Sequence, residues 1–189
     1  PSHAKAGDRK YRDISGDGVI DEQDRTVIGS IQADFTWGFN NTLSYKGLEL
    51  SFFIQGSQGN ELANFNLFDL QNFNGQNNVM AEAALNRWTP ANPSNKYPRA
   101  LASGNLDQGI FSSNIVEDAS YVRLKNITLG YNLPSSFLEN IKVSSLRIYV
   151  SGTNLVTLTK YSGYDPEANT YGQNSTLIGV DNGGYPMSK

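Results

Sequence analysis

Residues 126–133 are Asn-Ile-Thr-Leu-Gly-Tyr-Asn-Leu, and they belong to the most informative pattern of the chain, which extends over residues 121–158. Side chains of a β-strand point alternately to its two faces. The apolar side chains of this strand therefore share one face, which carries Ile127, Leu129, Tyr131 and Leu133. A turn begins at Pro134, and the returning strand has a similar apolar face, formed by Leu146, Ile148, Val150, Val156 and Leu158. The pattern predicts a hairpin of two long strands.

The length of these strands is compatible with two architectures. Each alternation persists for about 8–13 residues, whereas ordinary strands hold about 5–6. A tilted strand needs about 9–11 residues to cross a bilayer, and membrane barrels are built from strands that are apolar outside and polar inside. A sheet in a soluble β-sandwich also has one apolar face, so this hairpin alone does not separate the two.

A second hairpin is predicted over residues 35–56. Its first strand alternates regularly, except at Asn41, and its apolar face carries Phe35, Trp37, Phe39, Leu43 and Tyr45. Lys46 and Gly47 predict a tight turn. In the returning strand Phe53 is an exception to an apolar face formed by Leu48, Leu50, Phe52 and Ile54. Such a face needs either lipid or a second protein layer to cover it.

Composition excludes several classes of function. The chain has 189 residues, a net charge of −3 and no cysteine. This charge offers no basic footprint for nucleic acid, and disulfides and thiolate chemistry are excluded. The sequence contains no run of about 18 apolar residues, so no transmembrane helix is predicted. The only histidine is His3, and the sequence contains no nucleophile elbow or phosphate loop. We therefore expect that the chain is not an enzyme.

Residues 13–24, Asp-Ile-Ser-Gly-Asp-Gly-Val-Ile-Asp-Glu-Gln-Asp, match the spacing of a calcium-binding loop. The predicted ligands are the side chains of Asp13, Ser15, Asp17, Asp21 and Asp24 and the carbonyl of Val19. Gly18 stands where the loop needs a sharp turn. Serine at the third position and aspartate at the last depart from the usual pattern. We expect structural Ca²⁺ here, and the alternative is a solvated acidic turn.

The segments outside the hairpins are rich in Asn, Gln, Gly and Tyr. Residues 57–120 are predicted to form a long loop with one short helix near Val79–Arg87, which Trp88-Thr89-Pro90 ends. Residues 159–189 form another loop. Aromatic side chains in these loops are candidates either for ligand contact or for anchoring the loops, and they are Trp88, Tyr97, Tyr161, Tyr164 and Tyr171.

The connections between the predicted strands are short on one side and long on the other. Outer-membrane barrels have this asymmetry, with short periplasmic turns and long extracellular loops. A sandwich has no reason to keep it. We therefore predict an all-β, antiparallel fold that forms part of a transmembrane β-barrel, with residues 1–34, 57–120 and 159–189 outside the cell.

The chain resembles the C-terminal barrel portion of the SusC/RagA-like TonB-dependent outer-membrane transporters. The resemblance rests on several motifs in the same order, at residues 8–29, 35–59, 87–90, 120–133 and 146–166. Among them are Asp-Ile-Ser-Gly-Asp-Gly at residues 13–18 and Tyr-Ser-Gly-Tyr-Asp-Pro at residues 161–166. Together they extend over nearly the whole chain.

The resemblance implies a barrel of about 22 strands with an N-terminal plug. It implies location in the cell outer membrane, contact with outer-membrane lipid, and import of oligosaccharides or peptides. It also implies two partners, a SusD-like lipoprotein that caps the barrel and the TonB complex that delivers energy. We expect the plug, the TonB-binding segment, the final strand and the remaining barrel to lie in other parts of the same protein.

Two other functions compete with transport. A soluble, calcium-dependent glycan-binding or adhesion β-sandwich would bury the apolar faces against a second sheet. A glycosidase would need two carboxylates at a fixed separation, which neither Glu117 with Asp118 nor Asp165 with Glu167 establishes from sequence. The environment of the apolar faces therefore discriminates between transport and the soluble β-sandwich. Transport is the function that we expect.

Overall fold

The computed structural model describes residues 5–73, 78–100, 110–139, 142–172, 174 and 177–184, so His3 lies outside the described residues. The chain divides into two compact units. The loop unit comprises Pro1–Gly29, Ala63–Val116 and Val180–Gly183, and the sheet unit comprises Ser30–Leu62, Glu117–Gly179 and Gly184–Lys189.

In chain order the strands and α-helices are β1 (Phe35–Tyr45), β2 (Leu48–Gln58), β3 (Glu61–Asn64), α1 (Phe65–Leu70), α2 (Ala81–Asn86), β4 (Val116–Asp118), β5 (Tyr121–Asn132), α3 (Ser135–Leu138), β6 (Arg147–Thr159) and β7 (Val180–Asp181). The four long strands form an antiparallel sheet in the order β1-β2-β5-β6. Both predicted hairpins are therefore present, and the expected all-β, antiparallel fold is confirmed.

Five rows of side chains cross the apolar face of this sheet. Antiparallel pairing defines them as Trp37-Gly56-Val122-Leu158, Phe39-Ile54-Leu124-Val156, Asn41-Phe52-Ile127-Gly152, Leu43-Leu50-Leu129-Val150 and Tyr45-Leu48-Tyr131-Ile148. Four of the five rows carry large apolar side chains that are exposed, as Leu43 (56%) and Leu158 (66%) illustrate. The residues of the four long strands that alternation assigned to this face do lie on it, whereas Leu133 and Leu146 lie just outside β5 and β6.

A β-bulge extends this face beyond the predicted residues. Lys125 is an extra residue of β5 between two pairs of the ladder with β2. Opposite it, β6 passes from Thr153 to Val156 between successive pairs. An extra residue reverses the parity of side chains along a strand. Val122 and Leu124 therefore lie on the apolar face, where strict alternation would not have placed them.

Two glycines make room for aromatic rings on the neighbouring strand. A Cβ atom on Gly56 would lie 2.5 Å from the Trp37 indole, which covers this glycine on the apolar face. On the opposite, polar face, a Cβ atom on Gly38 would lie 3.0 Å from the Phe53 ring. Glycine in a strand commonly marks such a close approach. The space at Gly38 explains how β2 accommodates its one exception to alternation.

The loop unit contains α2, at the position of the helix predicted near Val79–Arg87. Phe73, Ala83 and Tyr97 form its buried cluster. The prediction did not contain α1, α3 or the small sheet of order β4-β3-β7. Within the described ranges, no helix has the length and apolar character needed to span a membrane.

Candidate functional site

Asp13 is the centre of a tight loop in the loop unit. Its carboxylate accepts hydrogen bonds from the backbone N–H groups of Gly16 at 2.6 Å and Gly18 at 2.8 Å. Both glycines have positive φ angles, +80° and +83°, which glycine adopts without steric cost. The chain therefore wraps around the carboxylate that stands first in the calcium-type motif.

Asp24 closes the same loop from its other end. Its carboxylate accepts backbone hydrogen bonds from Ser15 at 3.0 Å, Asp21 at 3.0 Å and Ile14 at 2.8 Å. These hydrogen bonds, first among them the one from Ser15, lower the pKa of Asp24 from 3.8 to about 2. The ionised form of this carboxylate is the one that the folded loop stabilises.

The predicted calcium ligands all lie in this loop. Asp17 accepts the N–H of Val19 at 2.8 Å, and Asp21 caps the short 3₁₀ turn Glu22–Asp24. In the part of the chain that the structure describes, no three acidic, histidine or cysteine side chains are grouped to hold a metal. The oxygen atoms of these side chains are ligands that suit Ca²⁺. The carboxylates now accept hydrogen bonds from backbone N–H groups, and they would have to give up some of these bonds to bind the ion. Calcium binding stays a prediction.

A cavity of about 1210 Å³ in the loop unit brings together residues from both sets of candidates. Trp88 and Tyr97 contribute to its wall, as do Ile14, Asp21 and Asp24 of the calcium-type loop. Tyr97 is only 3% exposed, so its ring belongs mainly to the packed interior. The cavity places the two aromatic candidates beside the acidic loop.

Trp88 also holds the start of the loop unit in place. A Cβ atom on Gly7 would lie 2.4 Å from the Trp88 indole. Beside it, Arg99 donates to the Asp8 carboxylate at 2.7 and 3.3 Å, and its backbone N–H bonds to the carbonyl of Gly7 at 2.8 Å. The Arg99 guanidinium lowers the pKa of Asp8 below its usual value. Such contacts are those of an anchored loop.

Tyr161, Tyr164 and Tyr171 lie in the sheet unit and differ greatly in exposure. Tyr161 is 5% exposed and packs with Leu62 and Ala119. Tyr171 is 39% exposed and Tyr164 is 80% exposed. Tyr164 is therefore the most accessible of the five candidate aromatic side chains.

A buried ion-pair network in the sheet unit was not predicted. The Arg123 guanidinium is 2% exposed, and its nitrogens lie 2.6 Å from Asp165 Oδ1 and 2.5 Å from Glu167 Oε2. Its Nε donates to Thr157 Oγ1 at 2.9 Å. The sequence offered only a cation within a strand and two acids flanking Pro166. Their pairing spans 42 and 44 residues, so only the fold reveals it.

No family model matches the chain. It is 42% identical to the TonB-dependent receptor P3 of Formosa agariphila over 184 residues, which cover 95% of this chain and 18% of that receptor. It is 27% identical to the TonB-dependent receptor SusC of Bacteroides thetaiotaomicron over 188 residues, 98% of this chain and 17% of SusC. The chain thus spans less than a fifth of the length of these curated relatives.

Solved structures of RagAB show that the similarity extends to the fold. The chain matches the RagAB peptide transporter with a TM-score of 0.72 and 30% identity, covering 89% of this chain and 18% of the other. It matches the RagAB peptide importer in its 'open-open' state with a TM-score of 0.68 and 31% identity, over 84% of this chain and 16% of the other.

From these matches we conclude that the chain is a segment of a TonB-dependent receptor. Within this class it belongs to the SusC/RagA-like family. The family resemblance seen in the sequence motifs is therefore confirmed. The matched proteins are named receptors, importers or transporters, which agrees with the expectation that the chain is not part of an enzyme.

Proposed function

We propose that the sheet unit is part of the wall of an outer-membrane β-barrel that imports oligosaccharides or peptides. The observation that carries this proposal is the exposed apolar face of strands that are 11–13 residues long. Strands of this length suffice to cross a bilayer, and lipid would cover the face without a second protein layer. The opposite face is mostly polar, as in the row Thr42-Ser51-Thr128-Ser151, and suits a water-filled interior.

The ends of the sheet support one orientation in the membrane. At one end β1 and β2 are joined by Lys46 and Gly47 alone. At the other end residues 59–120 connect β2 with β5, and the chain continues beyond β6. Long connections of outer-membrane barrels are extracellular. In this orientation the calcium-type loop precedes β1 on the outside.

The whole transporter would use a SusD-like lipoprotein as an outer cap and the TonB complex as its source of energy. Likeness to SusC and to the RagAB peptide importer supports these partners. Contacts with TonB would lie in parts of the protein other than this chain. The RagAB structures are named as a peptide importer and a peptide transporter. We propose that the cargo of the present transporter is either peptide or oligosaccharide.

Membrane fractionation of cells that express the full-length protein tests the barrel. We expect the protein in the outer-membrane fraction, with an electrophoretic mobility in detergent that changes only after boiling, because a folded barrel resists detergent. A soluble protein without this shift would contradict the proposal. It would favour the calcium-dependent β-sandwich instead.

Growth tests the cargo. A deletion strain and a complemented strain would be supplied with either a tryptic digest of casein or maltoheptaose as the limiting nutrient. Loss of growth on one nutrient, restored by complementation, would identify the cargo class. Unimpaired growth of the deletion strain on both would contradict import of these two classes.

We also propose that residues 13–24 bind structural Ca²⁺, supported by the wrapped geometry around Asp13. Limited proteolysis of the full-length protein tests this, with excess calcium or with a chelator. Calcium should slow cleavage of the loop in the wild type and in Glu22→Ala, whose side chain is not a predicted ligand. It should not protect Asp17→Ala. Equal cleavage of the wild type in both conditions would refute calcium binding.

A further inference from the structure

Residues 160–168, which follow β6, form a strap whose acidic side chains meet the polar face of the sheet. The strap covers the cross-strand row Gln55-Arg123-Thr157, which lies at the end of the sheet where the long connections leave. Tyr161, Asp165 and Ala168 are all at most 9% exposed. The strap is therefore largely buried: Tyr161 packs with Leu62 and Ala119 beside the sheet, whereas Asp165 and Glu167 bond to residues of the sheet itself.

Arg123 is the main tie between the sheet and the strap. It forms ion pairs with both Asp165 and Glu167, at 2.6 and 2.5 Å. Gln55 Nε2 adds a hydrogen bond to the second oxygen of Glu167 at 3.2 Å. A buried charge is costly unless it is paired and hydrogen-bonded, so a guanidinium at this depth requires both acids of the strap in place.

Further contacts fix the strap on either side of Arg123. Ser162 Oγ donates to Glu117 at 2.8 Å, and the Glu167 backbone N–H donates to Asp165 at 2.9 Å. A Cβ atom on Gly163 would lie 2.4 Å from the Tyr161 ring, so the backbone passes directly over this buried ring. These contacts hold the backbone on both sides of Tyr164.

Tyr164 departs from its surroundings because its side chain is 80% exposed. An aromatic ring on a fixed backbone loses little conformational freedom when a ligand stacks on it, and tyrosine supplies a large contact area with few rotatable bonds. In the proposed barrel, the polar face and the end with long connections place this ring at the outer mouth of the interior. Substrate would pass this point on entry.

We propose that Arg123 is a positioning residue that holds the strap so that Tyr164 contacts the incoming substrate. This inference rests on the proposed transport function and names one of its contact residues. The chemistry recognised is an apolar C–H face, which either a sugar ring or a peptide side chain presents. Arg123 itself acts only through the strap.

The order of the strap can be measured without substrate. Because the chain contains no cysteine, Tyr164→Cys in the full-length transporter carries a single spin label within this segment. We expect the motion of the label to be more restricted in the parent than in Arg123→Met, because the backbone that carries it is held by the ion pairs. Arg147→Met is the matched control, because Arg147 pairs with Glu49 at 2.8 Å at the other end of the sheet. Equal mobility of the label in the parent and in Arg123→Met would overturn the positioning role.

Uptake kinetics test the substrate contact, with casein digest or maltoheptaose as the probe, whichever supports growth. Tyr164→Ala and Arg123→Met should each raise the half-saturating concentration by about two- to tenfold, the range expected for one lost aromatic contact, with little change in maximal rate. The double variant should be no worse than either single variant, and Tyr164→Phe should be close to wild type.

The possible failures are distinguishable. Wild-type half-saturation in Tyr164→Ala would overturn the substrate contact while import continues, so the proposed function would stand. A deletion strain that imports both probes normally would instead refute the proposed function, and the substrate contact with it. A lower maximal rate in Arg123→Met with unchanged half-saturation would show a structural role only, and would also overturn the inference.

Discussion

Ile127→Arg tests whether lipid covers the apolar face. Ile127 lies in the third of the five rows, midway between the Trp37 and Tyr45 rows. Tyr45 lies eight positions after Trp37 along β1, a distance of about 27 Å at 3.4 Å per residue. A strand tilt near 40° reduces this to about 21 Å along the bilayer normal, which fits within an apolar band of about 25 Å.

The expected cost follows from this position. Arginine on the lipid face near the bilayer midplane of a barrel destabilises it by about 2–4 kcal/mol. The ratio of folded to unfolded protein should therefore fall between about thirtyfold and several hundredfold. Thr128→Arg is the matched control, because Thr128 is the next residue, is similarly half-buried, and lies on the polar face. There the guanidinium would reach water.

Unfolding with guanidinium chloride, for full-length protein refolded in phosphatidylcholine vesicles, measures the free energy of unfolding of each variant. Equal losses for Ile127→Arg and Thr128→Arg would refute the assignment of faces. Leu129→Trp then separates lipid from a second protein layer. Lipid accommodates the larger ring without cost, whereas a packed sandwich core would lose about 1–3 kcal/mol through overpacking.

Three further predictions concern single contacts. Gly56→Val should destabilise the full-length protein by about 1–3 kcal/mol, measured by the same titration, because the new side chain displaces the Trp37 ring; an unchanged stability would show that the ring moves freely. Asp24 has a folded pKa of about 2, below its ordinary 3.8, so its contribution to stability is present above pH 3.8 and is lost as the pH falls towards 2. Cleavage of its loop by an acid-active protease should therefore increase as the pH falls from 3.8 to 2 in the wild type. The same fall in pH should not change the cleavage of Asp24→Asn. Asp8→Asn should cost about 1–3 kcal/mol of local stability by removing the charged partner of Arg99; hydrogen exchange of residues 5–12 that matches the wild type would contradict this.

The four long strands were predictable from the sequence, because an alternation of apolar and polar residues over about 8–13 residues is not compatible with a helix. The sequence also determined the apolar face of β1 and β2, the tight turn at Lys46 and Gly47, and the helix near Val79–Arg87. Its motifs pointed to the SusC/RagA-like family. All of these follow from local patterns, in which each residue is interpreted through its immediate neighbours.

Contacts between residues that are distant in the sequence became visible in the fold alone. The bulge at Lys125 depends on pairing with β2 and β6, so alternation along β5 could not place Val122 on the apolar face. Arg123 finds its acids more than 40 residues away, on either side of Pro166. Such contacts depend on the register and the path of the chain in space, which no local period encodes.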